Sequence, residues 1–225
     1  WIGRHRMEAM LATGLVEAAA ICDPSEACLG QAADLAPKAN IVADLEEMLE
    51  LDLDGVVIAT PSALHAAQSI SALKAGKAVF CQKPLGRTAP ETAAVVNAAR
   101  EVDRLLGVDL SYRHTQAMKA ISELVQSGEL GEIFAIDLTF HNAYGPDKAW
   151  FYDPEQSGGG CVVDLGVHLV DLALWTMGFP SVGDVDARLL SGGRPLQPGQ
   201  VEDYALASFA AGGTQVRLAC SWKLN

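Results

Sequence analysis

Lys83, Asp164, His168 and Asp171 are the residues whose types and spacing could move a proton. The last three fall at i, i+4 and i+7 in Ser157–Gly178 (SGGGCVVDLGVHLVDLALWTMG), which brings them to one face of a helix over about Cys161–Met177. Val162, Val163, Leu165, Val167, Leu169, Val170, Leu172 and Leu174 cover its other sides, so the helix is expected in the interior, its ionisable stripe facing a cavity. Two carboxylates and an imidazole are costly there unless paired or used. An Asp/His pair one turn apart is, taken alone, explained at least as well by hydrogen-bond satisfaction as by catalysis. Gly158, Gly159 and Gly160 read as a flexible entry, and Gly178 with Pro180 as the stop.

Lys83 lies in Gln82-Lys83-Pro84-Leu85-Gly86, just after an apolar run. The proline keeps Lys83 out of the helical region, and the Lys83–Pro84 bond is a candidate cis peptide. Beside a positively charged nicotinamide, this ammonium would have its proton loosened by like-charge repulsion and partial desolvation, and could then assist proton transfer. A solvated lysine at a strand end is the plain alternative.

The elements that must position these groups follow from hydrophobic patterning. Arg4–Thr13 reads as a helix capped at Gly14, Leu15–Cys22 as a buried parallel strand, Ser25–Leu35 and Asp44–Leu51 as helices. Val56–Ala59, a helix after Ser62, and Lys77–Cys81 form a βαβ unit; Ala89–Asp103 and Leu106–Leu110 extend it. This alternation predicts a Rossmann-like doubly wound parallel sheet over residues 1–112. Beyond Tyr112 come an amphipathic helix, Glu132–His141, the interior helix, and strands at Val185–Leu190, Tyr204–Ala210 and Gln215–Trp222. The last two join through Ala211-Gly212-Gly213 in hairpin fashion, and Gly192–Gly199 reads as an exposed loop. Grouped strands predict an α+β domain with an open, largely antiparallel sheet over residues 113–225.

Composition narrows the function. The chain has 225 residues, half of them hydrophobic, and a net charge of −12, which disfavours nucleic acid and anionic membrane and favours a small-molecule ligand. Five cysteines without CxxC spacing, mostly in apolar runs, read as reduced core thiols of a cytoplasmic protein. No metal site is expected, and no transmembrane run or leader is read.

A dinucleotide fold places GxGxxG before its first helix and an acid about 20 residues later for the adenosine ribose. Gly3 opens a helix and Asp23 follows the next strand at that distance, so the chain reads as starting inside the phosphate turn, with Trp1, Ile2 and Gly3 its last residues and the first strand absent. Asp23 favours NAD over NADP because a carboxylate repels a 2′-phosphate; its alternative is a turn former before Pro24. Thr60 and Pro61 end a strand at the carboxyl edge, where ligands of open sheets sit, and His65 lies one turn into the following helix, where a surface or packing role is the commoner alternative. Thr60, Pro61, His65, Gln82 and Lys83 therefore complete the candidate cofactor set. Arg113, His141, Tyr144, Lys148 and Trp150 could reach a cleft. Arg113 and Trp150 are the candidates for holding substrate, Trp150 by stacking on a ring, and each of the five has a solvated or packing alternative of at least equal weight.

TPSALHAAQSISALKAGKAVFCQKPLG and GGGCVVDLGVHLVDLALWTMG together resemble the glucose-fructose oxidoreductase / inositol dehydrogenase (Gfo/Idh/MocA) family. The resemblance implies an N-terminal Rossmann domain for NAD or NADP, a C-terminal domain that walls the substrate site, and a homo-oligomer formed through its sheet. It maps the family's glutamate-lysine-proline lysine onto Lys83, and the DxGxH aspartate and histidine onto Asp164 and His168. By resemblance His168 acts as acid/base, Asp164 orients substrate or imidazole, and hydride passes from a sugar, polyol or related cyclic hydroxy compound to the nicotinamide. Gln82 stands where the family has glutamate, a departure expected to lower the Lys83 pKa or loosen its orientation. The chain also reads as cut at its C-terminal side. A glycosidase using bound NAD for transient oxidation and a non-catalytic dinucleotide sensor are the alternatives.

Overall fold

The computed structural model describes residues 2–224. The chain divides into two compact units. The first takes the chain up to Thr60 with Leu64–Leu85 and Ala89–Val108; the second takes Pro61–Ala63, Gly86–Thr88 and the chain from Asp109.

In the first unit helix α1 (Ile2–Ala12) precedes strand β1 (Ala20–Ile21), helix α2 (Glu26–Leu35), strand β2 (Asn40–Ile41) and helix α3 (Leu45–Leu49). Ser25 caps α2, its hydroxyl accepting from the Cys28 N–H; Asp44 caps α3 by accepting from Glu47, whose own carboxylate accepts from the Ala43 N–H. Strand β3 (Gly55–Ile58), helix α4 (Ser62–Lys74), strand β4 (Ala78–Cys81), helix α5 (Ala89–Glu101) and strand β5 (Leu106–Val108) follow. β3, β4 and β5 pair in parallel in that order, and Val56, Ile58, Leu73, Val79, Cys81 and Val95 form the core between sheet and helices.

The element order is the doubly wound one, but among the described residues the hydrogen bonding divides the sheet: β1 pairs with β2 in parallel, and β3–β4–β5 stand as a separate sheet. The long strand expected over Leu15–Cys22 shrinks to Ala20–Ile21, with Leu15 87% exposed. In doubly wound order the place between β1 and β3 belongs to the strand that leads into α1. Among the described residues β1 is bonded to β2 alone, and the run before it is irregular and largely exposed.

In the second unit a 3₁₀ turn (Ser111–His114) leads to helix α6 (Gln116–Gln126), strand β6 (Ala135–His141), and the short helix α7 (Pro154–Ser157). A π-helical turn (Val162–Gly166) then runs into helix α8 (Val167–Thr176), followed by strands β7 (Val182–Ser191), β8 (Arg194–Pro195), β9 (Tyr204–Ala211) and β10 (Thr214–Ser221). The five strands order β6-β10-β9-β7-β8, parallel at β6–β10 and antiparallel elsewhere. Gly212, at φ 61°, makes the β9–β10 hairpin turn; the expected loop Gly192–Gly199 holds the short β8.

One face of this sheet is covered. Cys161, Leu165, Leu169 and Ala173 of the helical run pack on Val216, Leu218 and Cys220 of β10 and on Ala205, Phe209 and Ala211 of β9. By length and composition Pro154–Thr176 could cross a membrane, but half of its apolar window is buried inside the protein, as befits a core helix. The interior placement read from the sequence holds. Its charged residues therefore need internal partners.

Candidate active site

The first unit gathers its candidates at the carboxyl ends of β3 and β4. A Cβ built on Gly3 would lie 3.1 Å from the Ala59 Cβ, tighter than ordinary contact, so glycine eases the close approach of the start of α1 to the end of β3. That approach is what the last glycine of a dinucleotide fingerprint provides, and the first N–H groups of α1 are donors suited to a pyrophosphate. The chain thus fits NAD at this point. Ile2 is half-buried in the first turn of α1, whereas Trp1 lies outside the described residues. Asp23 is exposed beyond β1, and its Oδ1 accepts from the Ser25 N–H at 2.8 Å. The turn-forming role of Asp23 is therefore real, and the carboxylate is fixed at the strand end by it.

Thr60 is tied twice: its hydroxyl donates to Gln68 Oε1 at 2.6 Å, and its carbonyl meets His65 Nε2 at 2.8 Å. His65 Nδ1 lies 2.6 Å from the Pro84 carbonyl. Of the two readings of His65, cofactor contact or packing, the geometry supports the second. The ring is 1% exposed and spends both nitrogens on backbone carbonyls. Gln82 is buried and its N–H donates to the Ile58 carbonyl; Lys83 is half-buried, and the Lys83–Pro84 peptide is cis as anticipated.

The second unit carries the acid and imidazole. His168 is 8% exposed, and Tyr112 meets it edge-to-face with ring centroids 4.6 Å apart. Asp164 Oδ2 accepts from Trp222 Nε1 at 3.0 Å. Asp171 is held by a two-pronged ion pair in which Arg113 Nε donates to Oδ2 at 2.8 Å and Nη2 to Oδ1. The Arg113 guanidinium also lies over the Phe179 ring, 5.2 Å from its centroid.

Three expectations are corrected here. The run does not begin as a regular α-helix: a π turn over Val162–Gly166 carries Asp164, so the even stripe assumed from i, i+4 and i+7 is broken, and Asp164 bonds the tryptophan after β10. Arg113, read as a substrate ligand, commits its fork to Asp171. The glycine entry is tightly packed: a Cβ on Gly158 would lie 2.6 Å from the Arg87 Cβ, and one on Gly160 1.9 Å from the Glu202 carbonyl oxygen. Gly158 is also the left-handed cap of α7. Trp150 stacks on Phe151 at 3.8 Å, which occupies one face of the ring offered to a sugar.

Tyr112, Glu202 and Trp222 went unnoticed in the sequence. Glu202 holds the start of the π turn, its carboxylate accepting from the Val162 N–H and its carbonyl from the Cys161 N–H, both at 2.9 Å. Glu202 and Trp222 carried no local signal, because each partner lies 40 or more residues away. Tyr112 alone offered one, by adjoining the residue that pairs with Asp171.

A parallel nucleotide-type fold with a strand-end lysine, followed in the chain by a mixed sheet under a helix bearing Asp164 and His168, defines the class: a Rossmann-type half and an α+β half. Comparison with known proteins agrees: residues 1–110 match the NAD-binding Rossmann fold model of the oxidoreductase family and residues 118–225 the GFO/IDH/MocA C-terminal domain. The chain belongs to the GFO/IDH/MocA oxidoreductases. It is 32% identical over 177 residues to the D-glucoside 3-dehydrogenase of Escherichia coli K12, covering 76% of this chain and 50% of that protein. It is also 32% identical to the levoglucosan dehydrogenase of Pseudarthrobacter phenanthrenivorans, covering 66% and 39%. Among solved structures it superposes on GenD2 of gentamicin A biosynthesis in complex with NAD (TM-score 0.89, 28% identity, all of this chain and 64% of that one). Levoglucosan dehydrogenase with NADH and levoglucosan gives the same TM-score at 25% identity, over all of this chain and 65% of that one. The chain thus spans about half the length of the curated relatives it matches.

Proposed function

We propose that this protein is an NAD-dependent dehydrogenase that oxidises a CH–OH group of a sugar, polyol or related cyclic hydroxy compound to a carbonyl. The observation that carries the reading is the buried His168 imidazole on a helix with a carboxylate to either side, in a chain whose other unit is an NAD-binding Rossmann fold. In the balanced reaction the substrate alcohol and NAD⁺ give the ketone, NADH and one proton. Bound NAD⁺ supplies the hydride acceptor. His168 takes the hydroxyl proton as the C–H bond breaks, and its burial keeps that imidazole from idle exchange with bulk water. Asp164, anchored by Trp222, orients the substrate or the imidazole. Lys83, on its restricted turn, steadies the developing alkoxide as a positive charge.

Asp23 at the end of β1 supports NAD over NADP, although a 32% identical relative is named an NADP⁺-dependent scyllo-inositol 2-dehydrogenase. The reading extends to a second copy of the chain on the open face of the C-terminal sheet, where Leu206 is exposed, and to a cytoplasmic setting in which all five cysteines stay reduced.

The test is turnover. The full-length protein is screened for NADH formation against sugars and polyols; Lys83→Ala and His168→Ala are each expected to lose about 10²- to 10⁴-fold in kcat. Release of a sugar without net NADH, or NAD binding without turnover on any substrate, would overturn the reading.

A further inference from the structure

His65 stands between the two backbone segments on which the proposed chemistry of the first unit depends. It lies in α4, fully buried, with Nε2 2.8 Å from the Thr60 carbonyl at the end of β3 and Nδ1 2.6 Å from the Pro84 carbonyl just after Lys83. Those two carbonyls lie just past the ends of neighbouring parallel strands: Ile58 and Cys81 are the last register partners, and the Gln82 N–H still reaches the Ile58 carbonyl. Beyond that point no ladder bond between β3 and β4 is left to fix the chain. The imidazole takes over there, as a rung made of a side chain.

We propose that His65 is a positioning residue for the lysine turn, bridging the Thr60 and Pro84 carbonyls so that Lys83 is presented from a fixed backbone. The inference rests on the dehydrogenase reading for its kinetic consequence, but the bridge itself does not. Its surroundings argue for this role over simple packing. Thr60 is held a second time, through its hydroxyl to Gln68, so one end of the rung is rigid. Leu85, immediately after Pro84, is buried in the core with Cys81 and Val95, so the other end cannot drift outward. Only a ring with polar atoms on opposite sides spans the two carbonyls: an aliphatic side chain of similar volume would leave both acceptors buried without a donor.

The experiment uses the full chain and three forms: wild type, His65→Gln and His65→Phe. Phenylalanine keeps the ring and loses both donors; glutamine keeps a donor. His65→Phe is expected to lower kcat by about tenfold to a hundredfold, because a displaced lysine costs alignment at the reacting bond. The KM for NAD should change less than twofold, and His65→Gln should recover part of the loss. Equal losses in both variants, or a rise in the NAD KM with kcat unchanged, would overturn the positioning role. A second readout is independent of turnover: in ¹⁵N-histidine-labelled wild type, ring N–H protons protected from solvent exchange are assigned to His65 by their disappearance in His65→Phe. Two protected ring protons, one for each carbonyl, support the bridge; a single protected proton, which leaves one carbonyl facing a ring lone pair, or ring protons exchanging at once, overturns it even if His65→Phe fails to fold. Loss of all sugar oxidation in wild type with both protected protons present would fail the dehydrogenase reading and leave the bridge standing.

Discussion

Arg113 shows how one side chain can balance a charge buried on another element. Asp171 is buried among apolar residues of α8, and its charge is affordable only because the guanidinium meets both carboxylate oxygens. The pair also fixes the 3₁₀ turn on which Tyr112 stands, and so the ring that covers His168. Arg113→Ala is expected to lower unfolding free energy by about 3 kcal/mol, toward the lower end for breaking a buried pair because Arg113 keeps 26% of its side-chain exposure. Urea denaturation measures it. The double change Arg113→Met with Asp171→Leu should restore most of the loss, since the stranded carboxylate goes with it. Gln82 belongs to the same scale: it is buried beside Lys83, and Gln82→Glu is expected to shift the pH profile of turnover toward higher pH, because an added negative neighbour holds the lysine proton more firmly.

At the scale of elements, the entry to the π turn decides whether Asp164 and His168 are presented at all. Cys161 N–H bonds the Glu202 carbonyl and Val162 N–H its carboxylate, so β9's approach segment and the helical run are joined by one residue. That contact requires a bare Cα at Gly160. Gly160→Ala is expected to cost at least about 3 kcal/mol, since a Cβ 1.9 Å from the Glu202 oxygen forces backbone movement. Gly30→Ala, inside α2 with nothing within 4 Å, is expected to stabilise by about 0.5–1 kcal/mol through helix propensity. Thermal or urea unfolding of the two variants side by side checks both signs. A glycine-rich stretch read as freedom is here a stretch of close contact.

For the molecule as a whole, the thiols report how well the two units are packed. Cys81 in the first unit is fully buried and its pKa is pushed up to about 11, chiefly by burial. In the second unit Cys161 lies 3.8 Å from Cys220; sharing a hydrogen bond with it, and then burial, push the Cys161 pKa upward as well. The sign follows from linkage. An unfolded thiol loses its proton near 9.0 while the folded Cys81 keeps it to about 11, so the folded state binds more protons between these values and stability falls as pH rises through them. The slope from this group approaches 1.4 kcal/mol per pH unit and should shrink in Cys81→Ala, as measured by urea unfolding at pH 8, 9 and 10 under reducing conditions. At pH 8 a thiol reagent is expected to modify exposed Cys28 rapidly and to leave Cys81, Cys161 and Cys220 unmodified until the protein unfolds.

The sequence by itself determined whatever depends on near neighbours along the chain. Alternating apolar runs with capped helices specified a Rossmann-like half and a sheet-rich half; the Lys-Pro dipeptide and the Asp-Leu-Gly-Val-His run marked the two chemical segments. The interior place of the helix was also legible, because apart from its narrow ionisable stripe every side is apolar. What only the tertiary structure decided is which groups spend their charge and hydrogen bonds on one another. Asp171 meets an arginine 58 residues away, Asp164 a tryptophan 58 residues away, and His65 a carbonyl 19 residues on, so no spacing rule links them. Strand extent belongs to the same category. Leu15–Cys22 has the residues of a buried strand, but a strand exists only where a partner's backbone is present to bond, and that is a property of the folded chain rather than of the segment.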